Sequence, residues 1–394
     1  MLSDAGDRWL ADPVESGPSA GFGLYLHVPF CAHRCGYCDF ATAVPDSDAQ
    51  VAAYVAALQD EVDRVASAGP PDGGTWPTVT SVFVGGGTPT LLPRGDLAAV
   101  MGRVHASFDV APDAEVTVEC NPETASPALF DELVGAGVGR LSMGAQSFAP
   151  HVLSTLERGH DADRPVEAVS MARAAGIEQV NLDLIFGTPG ESDEDWATSL
   201  RGALAAGVDH VSAYALTIHD NTSFGRAVKQ GQLPDVDEDV QRDRFDVARE
   251  VLAGGGFEHY EVSNWALGST ARSRHNLLYW RHGDYLAFGV GAHGHWRGRR
   301  WWNTRSTTGY LDAVGAGRSP VTGTEDLTVD ERAEERLLLG LRVREGLHPM
   351  DAPPIDPLAL EDVMAKGLIT TACGRLQCTE DGWFLLDEAV RRLT

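Results

Sequence analysis

Positive charge is scarce in this chain of 394 residues, which has 31 lysines and arginines against 57 aspartates and glutamates and a formal net charge of −26. Proteins that bind nucleic acids neutralise the backbone phosphates mainly with lysine and arginine side chains. A surface with this deficit is poorly suited to that task. The composition therefore argues against a nucleic-acid partner.

The chain also has no apolar run of the roughly 20 residues that a membrane-spanning helix needs. Residues 1–4 open an acidic segment that has neither the basic flank nor the apolar centre of a secretory signal. Cysteine is rare as well, and the six cysteines do not form the pattern of a disulfide framework. We therefore expect a soluble protein of the reducing cytoplasm.

Short apolar segments alternate with amphipathic segments between residues 24 and 215, which is typical of parallel strands joined by crossover helices. Six strands are predicted, at residues 24–28, 81–84, 116–119, 140–143, 180–184 and 210–214. Six such units indicate an α/β fold with an incomplete barrel. Active sites of parallel barrels lie at the carboxyl ends of the strands, where each motif described below is found.

The end of the chain has a different pattern. Residues 331–341 and 358–366 predict two helices, and residues 368–386 predict a hairpin with Cys373 and Cys378 beside its turn, before a short final helix. This order is winged-helix-like, but the many carboxylates here argue against DNA binding. They favour a domain that contacts protein or covers the active site. We predict an N-terminal extension at 1–22, a barrel at 23–255, a connecting segment at 256–310 and a C-terminal domain at 311–394.

Three cysteines, Cys31, Cys35 and Cys38, lie within eight positions of one another, just after the first predicted strand. Iron-sulfur clusters require thiolate ligands, and three thiolates leave one iron of a four-iron cluster without a protein ligand. A structural zinc site is the alternative, with His27 or His33 as the nearest fourth ligand. The spacing thus favours a 4Fe-4S cluster, with a zinc site as the alternative.

Polar residues and glycines follow the later strands. Successive glycines at 85–87 let the backbone pass close to a ligand and offer its amides, although a tight loop is the alternative. Asp183 stands in an apolar strand, where an unpaired buried carboxylate would be costly, so a ligand-facing role is favoured. Glu119 and Gln146 are either ligand contacts or ordinary strand-end hydrogen bonders, and Arg158 either grips a carboxylate or forms a surface ion pair beside Glu157.

A second group is His275, Asn276, Tyr279 and Trp280. On a helix, His275 and Tyr279 share one face, as an axial ligand and a ring-stacking aromatic would, while packing in the core is the alternative. A basic and aromatic segment follows, in which we expect His293 to be satisfied inside the fold. Its arginines either pair with nearby acids or bind the propionate groups of a ligand; they are Arg297, Arg299, Arg300 and Arg305.

The three-cysteine motif, with Tyr37 before its last cysteine, resembles the radical S-adenosylmethionine (SAM) superfamily. Segments 118–123, 142–148 and 181–190 resemble the branch typified by oxygen-independent coproporphyrinogen III oxidase, and segment 275–280 is similar to the HemW-type haem chaperones of that branch. The resemblance covers nearly the whole chain from Gly23. It implies an incomplete (β/α)6 TIM-like radical SAM barrel with a small C-terminal winged-helix-like α+β domain.

The resemblance also implies cofactors: a 4Fe-4S cluster on Cys31, Cys35 and Cys38, SAM on the open iron, and haem. Asp183 is implied to bind the ribose hydroxyls and Arg158 the SAM carboxylate. The full set of implied SAM contacts is Tyr25, Tyr37, Gly86, Gly87, Thr88, Glu119, Gln146, Arg158, Asp183 and Ala215. The implied haem contacts are His275, Asn276, Tyr279 and Trp280.

Haem trafficking is the function implied, with haem-accepting proteins and an electron donor to the cluster as partners. Coproporphyrinogen III oxidation is the alternative, but those oxidases carry a fourth cysteine where this chain has Phe40, so we do not expect that activity. A zinc-stabilised interaction protein is the third hypothesis. Peripheral membrane contact and the oligomeric state are left open.

Overall fold

The computed structural model describes residues 21–394. Six parallel strands form the centre of its main sheet and follow one another in chain order. All six predicted strands are present, and the incomplete barrel is confirmed. The strands are β1 (Phe22–Val28), β2 (Val79–Gly86), β3 (Val110–Cys120), β4 (Arg140–Gln146), β5 (Gln179–Phe186) and β6 (His210–Ala215).

Crossover helices connect these strands and cover the outside of the barrel. They are α1 (Asp48–Ala68), α2 (Asp96–Ser107), α3 (Pro127–Gly135), α4 (Pro150–Thr155), α5 (Arg164–Ala175) and α6 (Asp193–Ala205). Helix α6 illustrates the local signals. Ser192 and Asp195 form a reciprocal capping box at its start. Its buried residues Trp196, Leu200 and Ala203 then recur at helical spacing and face the sheet.

After β6 the chain forms further helices and strands, and these strands extend the sheet at both edges. The further elements are α7 (Ser223–Lys229), α8 (Glu238–Gly254), β7 (Glu258–Glu261), β8 (Asn264–Ala266), α9 (Arg274–Trp280), β9 (Asp284–Phe288), β10 (His293–Trp296), β11 (Arg299–Asn303), α10 (Thr307–Gly315) and β12 (Val321–Asp326). Strand β8 pairs with β6 in antiparallel orientation, whereas β9 returns to the opposite edge and pairs in parallel with β1. The sequence analysis missed β9, because five residues after an aromatic helix do not show a clear strand pattern.

The sheet crosses the predicted domain boundaries. Its twelve strands include β9, from the predicted connecting segment, and β12, from the predicted C-terminal domain. Phe22, assigned to the N-terminal extension, is the first residue of β1 and is buried. Residues 1–20 of that extension lie outside the described residues. Hydrogen bonding to β1 and β11 makes the later segments part of one sheet.

The remaining elements have the predicted order of helix, helix, hairpin and helix. They are α11 (Val329–Gly340), α12 (Pro357–Ala365), β13 (Ile369–Ala372), β14 (Arg375–Cys378) and α13 (Leu386–Leu393). Short 3₁₀ helices cover Pro89–Leu91, Pro122–Thr124, Ser269–Ala271, Pro349–Asp351 and Trp383–Leu385. Cys373 and Gly374 form the hairpin turn with φ angles of 52° and 74°. Within residues 21–394 no helix is both long and apolar enough to cross a bilayer.

A buried carboxylate anchors α1 to the returning edge of the sheet. Glu61 accepts hydrogen bonds from the backbone amide of Gly289 (2.8 Å), the side chain of Asn303 (2.8 Å) and the hydroxyl of Tyr310 (2.7 Å). Burial raises the pKa of Glu61 to about 7, although the three hydrogen bonds oppose that shift. The interaction holds β9 and β11 against the helix that follows β1.

Candidate cofactor site

A cavity of about 660 Å³ opens at the carboxyl ends of β1–β6 and continues into the barrel interior; we call it the barrel cavity. It brings together most of the residues that the sequence analysis singled out. Those that line it are Cys31, Cys35, Tyr37, Cys38, Gly86, Gly87, Thr88, Glu119, Gln146, Arg158, Asp183, Ala215 and Asn276. Tyr25 is not among the lining residues. It stacks on Phe83, and its hydroxyl lies 2.9 Å from His27 Nδ1.

The three cysteines lie on the loop between β1 and α1. Backbone hydrogen bonds close this loop on itself: Cys31 N donates to Ala43 O (3.0 Å) and Ala43 N donates to Pro29 O (2.8 Å). All three thiols are free and partly buried. Because one short closed loop carries them, they face the same mouth of the barrel cavity.

The thiols are suited to iron only after they lose their protons. Burial raises the pKa of Cys31 to about 11 and also raises that of Cys38. Thiolates are the species that bind metals, so cluster assembly must release protons here. Arg158 Nη1 lies 3.9 Å from Cys35 Sγ and brings a positive charge to the site.

Residues 21–394 contain no group of three His, Cys, Asp or Glu side chains that converge to hold one metal ion. Structural zinc is normally held by four ligands at about 2.0–2.3 Å from a single point. The three thiols line the mouth of the barrel cavity.

The glycines after β2 allow the cysteine loop to pack tightly on this strand. A Cβ atom on Gly87 would lie 2.6 Å from Phe30 O. The amide of Gly87 donates to Val28 O (2.7 Å) and the amide of Thr88 to Phe30 O (2.8 Å). The expectation that the glycines at 85–87 offer free amides to a ligand is therefore wrong at Gly87, because the end of β1 already accepts its hydrogen bond.

Glu119, at the end of β3, points into the cavity and accepts a hydrogen bond from Gly86 N at 2.8 Å. Burial raises its pKa to about 7; the Gly86 hydrogen bond opposes this, and the negative charge of Asp183 adds to it. The carboxyl group is thus poised to lose its proton when a cation binds beside it.

The side chain of Arg158 is buried in the site and does not form a surface ion pair with Glu157. Only 6% of its side chain is exposed, and Nη2 donates to Asn121 Oδ1 (2.8 Å) and Gly144 O (3.1 Å). Asn121 in turn donates to Thr88 Oγ1 (2.9 Å). No role was predicted for Asn121 from the sequence, although its position directly after β3 could have indicated a site residue.

Two further features shape this side of the cavity. A β-bulge in β4 places Gln146 at a φ of 64°, which turns its side chain to the cavity. Glu123 lies 3.7 Å from Arg158 and 3.2 Å from His160. Although burial opposes the shift, the His160 hydrogen bond and the Arg158 charge lower the pKa of Glu123 to about 2.

Asp183 is half-buried, and its carboxylate has hydrogen-bond partners. Its Oδ1 accepts from Asn181 Nδ2 (2.8 Å) and its Oδ2 from Ser142 Oγ (3.0 Å). Burial raises the pKa of Asp183, and the hydrogen bonds from Ser212, Asn181 and Ser142 lower it. The carboxylate keeps a surface towards the cavity and is held in one orientation.

The second sequence motif forms α9, at the other end of the barrel interior. His275 is only 1% exposed, with Nδ1 2.9 Å from Ser81 Oγ and Nε2 2.7 Å from the Tyr279 hydroxyl. Burial lowers its pKa to about 3, so the ring is neutral. Trp280 packs against Tyr260 and Val343. In this conformation both ring nitrogens of His275 have partners within the chain.

The basic segment pairs with acids. Arg297 contacts Asp72, Arg299 contacts Asp326, and Arg300 contacts Glu325 and Glu335. Arg305 donates to Asp39 O at 2.7 Å. His293 is exposed and stacks on Trp302, so the expectation that it lies inside the fold is wrong; its neighbour His295 is the buried one.

Residues 25–202 match the radical SAM superfamily. A protein of Mycobacterium tuberculosis named heme chaperone HemW is 43% identical over 378 residues, with 95% of each chain covered. The chain belongs to the HemW family of radical SAM proteins. The HemW of Escherichia coli is 32% identical, covering 92% of this chain and 96% of its own.

The fold has a close counterpart among solved structures. Coproporphyrinogen III oxidase (HemN) from Escherichia coli, described as a radical SAM enzyme, superimposes with a TM-score of 0.80. The match covers 95% of this chain and 90% of the oxidase at 22% identity, so it supports the fold. Membership of the radical SAM superfamily implies a 4Fe-4S cluster and SAM.

We expect alanine at Cys31, Cys35 or Cys38 to abolish the visible absorption of an anaerobically reconstituted 4Fe-4S cluster, because each change removes one iron ligand. Cys378→Ala is the matched control, since Cys378 is also buried but lies in the C-terminal hairpin. The iron and sulfide contents should fall in parallel. Stoichiometric zinc without iron or sulfide in anaerobically purified wild-type protein would contradict the assignment.

Proposed function

We propose that this chain is a haem chaperone that binds haem and passes it to acceptor proteins. The observation that carries the proposal is the 43% identity, over 95% of both chains, to a protein named heme chaperone HemW. An electron donor to the cluster is implied by the superfamily. The acceptor proteins are part of the proposal.

Phe40 supports this function over coproporphyrinogen oxidation. The ring is 59% exposed and lines the mouth of the barrel cavity, two positions after Cys38. A thiol stands at this place in the oxidases that the motif resembles. An apolar ring can neither bind iron nor transfer a proton, so it removes a reactive group from beside the cluster. The likeness to the solved oxidase concerns the fold only.

In the barrel cavity we propose three charged contacts to SAM. Arg158 receives the carboxylate, because a guanidinium with buried supporting bonds is preorganised for that group. Asp183 accepts the ribose hydroxyls, and Glu119 pairs with the ammonium group. SAM bound to the cluster supplies the superfamily's route to a 5'-deoxyadenosyl radical. The residues of this chain orient the ligand and neutralise its charges.

Haem binding at α9 requires a local change. A neutral imidazole is a normal axial ligand of haem iron. His275 Nε2 must first separate from the Tyr279 hydroxyl, and Nδ1 can keep its contact with Ser81. Because both side chains belong to α9 and Nδ1 keeps its contact with β2, we propose that the Tyr279 side chain turns away when haem binds, and that Nε2 would hold the iron.

The wild-type protein should bind haem and fail to decarboxylate coproporphyrinogen III. His275→Ala should lose or strongly perturb the haem spectrum, because the axial bond is removed. Tyr279→Phe should bind haem more tightly, roughly fivefold, because a hydrogen bond worth about 1 kcal/mol no longer competes for Nε2. Haem titrations followed by absorption spectroscopy measure both effects.

His293→Ala provides the control, since His293 is exposed and its loss should leave the fold and the haem spectrum unchanged. Cluster content and thermal unfolding verify that His275→Ala is folded. Protoporphyrinogen IX formed at steady turnover would contradict the chaperone function. An unaltered haem spectrum and affinity in His275→Ala would contradict the proposed ligand.

The affinity for SAM should decrease as the pH falls below about 7, because Glu119 then gains a proton and can no longer pair with the ammonium group. Binding displaces one proton, so the decrease should approach tenfold per pH unit below that pKa. Glu119→Gln should bind SAM more weakly and lose this pH dependence. Equilibrium dialysis of cluster-loaded protein measures both, and an identical pH profile in the variant would refute the role of Glu119.

A further inference from the structure

A continuous chain of hydrogen bonds runs through the barrel from Asp183 to the start of α9. Asp183 Oδ1 accepts from Asn181 Nδ2 (2.8 Å), and Asn181 Oδ1 lies 2.7 Å from His210 Nδ1. His210 Nε2 lies 2.9 Å from the Tyr260 hydroxyl, which accepts from the amide of Ser273 (3.0 Å). The four residues after Asp183 are each at most 3% exposed.

Every donor in this chain points towards Asp183. The Ser273 amide can only donate, so the Tyr260 oxygen accepts from it, and the hydroxyl proton goes to His210 Nε2. The imidazole is therefore neutral with its own proton on Nδ1, which it donates to Asn181; this tautomer is assigned from the network. Burial lowers the pKa of His210 well below its usual value, in agreement with a neutral ring.

A chain of this kind transmits changes because hydrogen bonds in series polarise one another. Its members are buried, so a break leaves a donor and an acceptor unpaired away from water, and that loss is costly. A change in the orientation of Asp183 should therefore affect the position of the Ser273 amide.

Ser273 is the N-cap of α9, and its Oγ accepts from Asn276 N at 3.2 Å. The next two amides, of Arg274 and His275, both donate to the Glu115 carboxylate at 2.9 Å. The first turn of α9 thus has two anchors. Glu115 holds it on β3, and Tyr260 connects it to His210 and Asn181 in the wall of the barrel cavity, which Ser273 also lines.

We propose that His210 and Tyr260 are positioning residues that couple ligand binding at Asp183 to the start of α9. This inference rests on the proposed sites of SAM and haem. Ribose hydroxyls that donate to Asp183 change the charge available to Asn181, and the change passes through His210 and Tyr260 to the Ser273 amide. Because coupling between two binding sites is reciprocal, haem at α9 should change the affinity for SAM by the same factor.

Hydrogen exchange provides a test that does not need haem. In cluster-loaded wild-type protein, SAM should change the exchange rate of amides in residues 273–280 by at least about fivefold. Tyr260→Phe keeps the ring but removes the hydroxyl, so it should still bind SAM and show no such change. His210→Gln breaks the same chain at another point and should behave alike; it also replaces Tyr260→Phe if that variant does not fold.

Tyr310→Phe is the matched control. It too removes a buried hydroxyl, which donates to Glu61 at 2.7 Å, but this bond lies outside the chain to Asp183. The response of residues 273–280 to SAM should persist in this variant. A similar loss of response in Tyr310→Phe, or a full response in Tyr260→Phe, would overturn the proposal, because the effect would then not pass through Tyr260.

Paired titrations form the second arm of the experiment. In the wild-type protein, SAM should change the affinity for haem by a certain factor, and haem should change the affinity for SAM by the same factor. In Tyr260→Phe neither ligand should change the affinity for the other. Wild-type protein that binds SAM but no haem contradicts the haem-chaperone function, while the exchange test still decides the coupling to α9. Wild-type protein that binds both ligands independently, without an exchange response, contradicts the coupling alone.

Discussion

The packing of the cysteine loop on the glycine segment after β2 determines the geometry of the whole mouth of the barrel. Two backbone hydrogen bonds, from Gly87 to Val28 and from Thr88 to Phe30, bind the loop to this strand. The contact leaves no space for a side chain at Gly87. The Thr88 hydroxyl then contacts both the Cys31 thiol (3.9 Å) and the side chain of Asn121 (2.9 Å). These contacts fix the position of the cysteine loop relative to the polar residues at the strand ends.

Buried charge is the second constraint. Glu119, Asp183 and Arg158 all line one cavity, and uncharged partners orient each of them: Glu119 accepts from the Gly86 amide, Asp183 accepts from Asn181, and Arg158 donates to Asn121. Burying ionisable groups away from water is costly. In the proposed SAM site, a ligand that carries both charges would offset that cost.

The two ends of the barrel have different chemical character. The carboxyl end is open, with partly buried thiols and the exposed ring of Phe40. The other end is closed by α9, whose histidine is neutral and fully paired. Asn181, His210 and Tyr260 lie between Asp183 and Ser273 and join the two ends by hydrogen bonds.

Much of this arrangement was predictable from the sequence. The six central strands, the C-terminal order of elements and the three-cysteine motif are local patterns, because hydrophobic periodicity and ligand spacing are set within a few residues. Strand β9, the role of Asn121 and the path through His210 and Tyr260 were not predictable, since each depends on residues far apart in the chain. The sequence by itself determined which residue types could bind a cluster and SAM. Only the tertiary structure decided that the Gly87 amide is bonded to the end of β1, that the Thr88 amide is bonded to the cysteine loop, and that both nitrogens of His275 have partners. The reason is that hydrogen-bond satisfaction depends on which distant groups folding brings within reach.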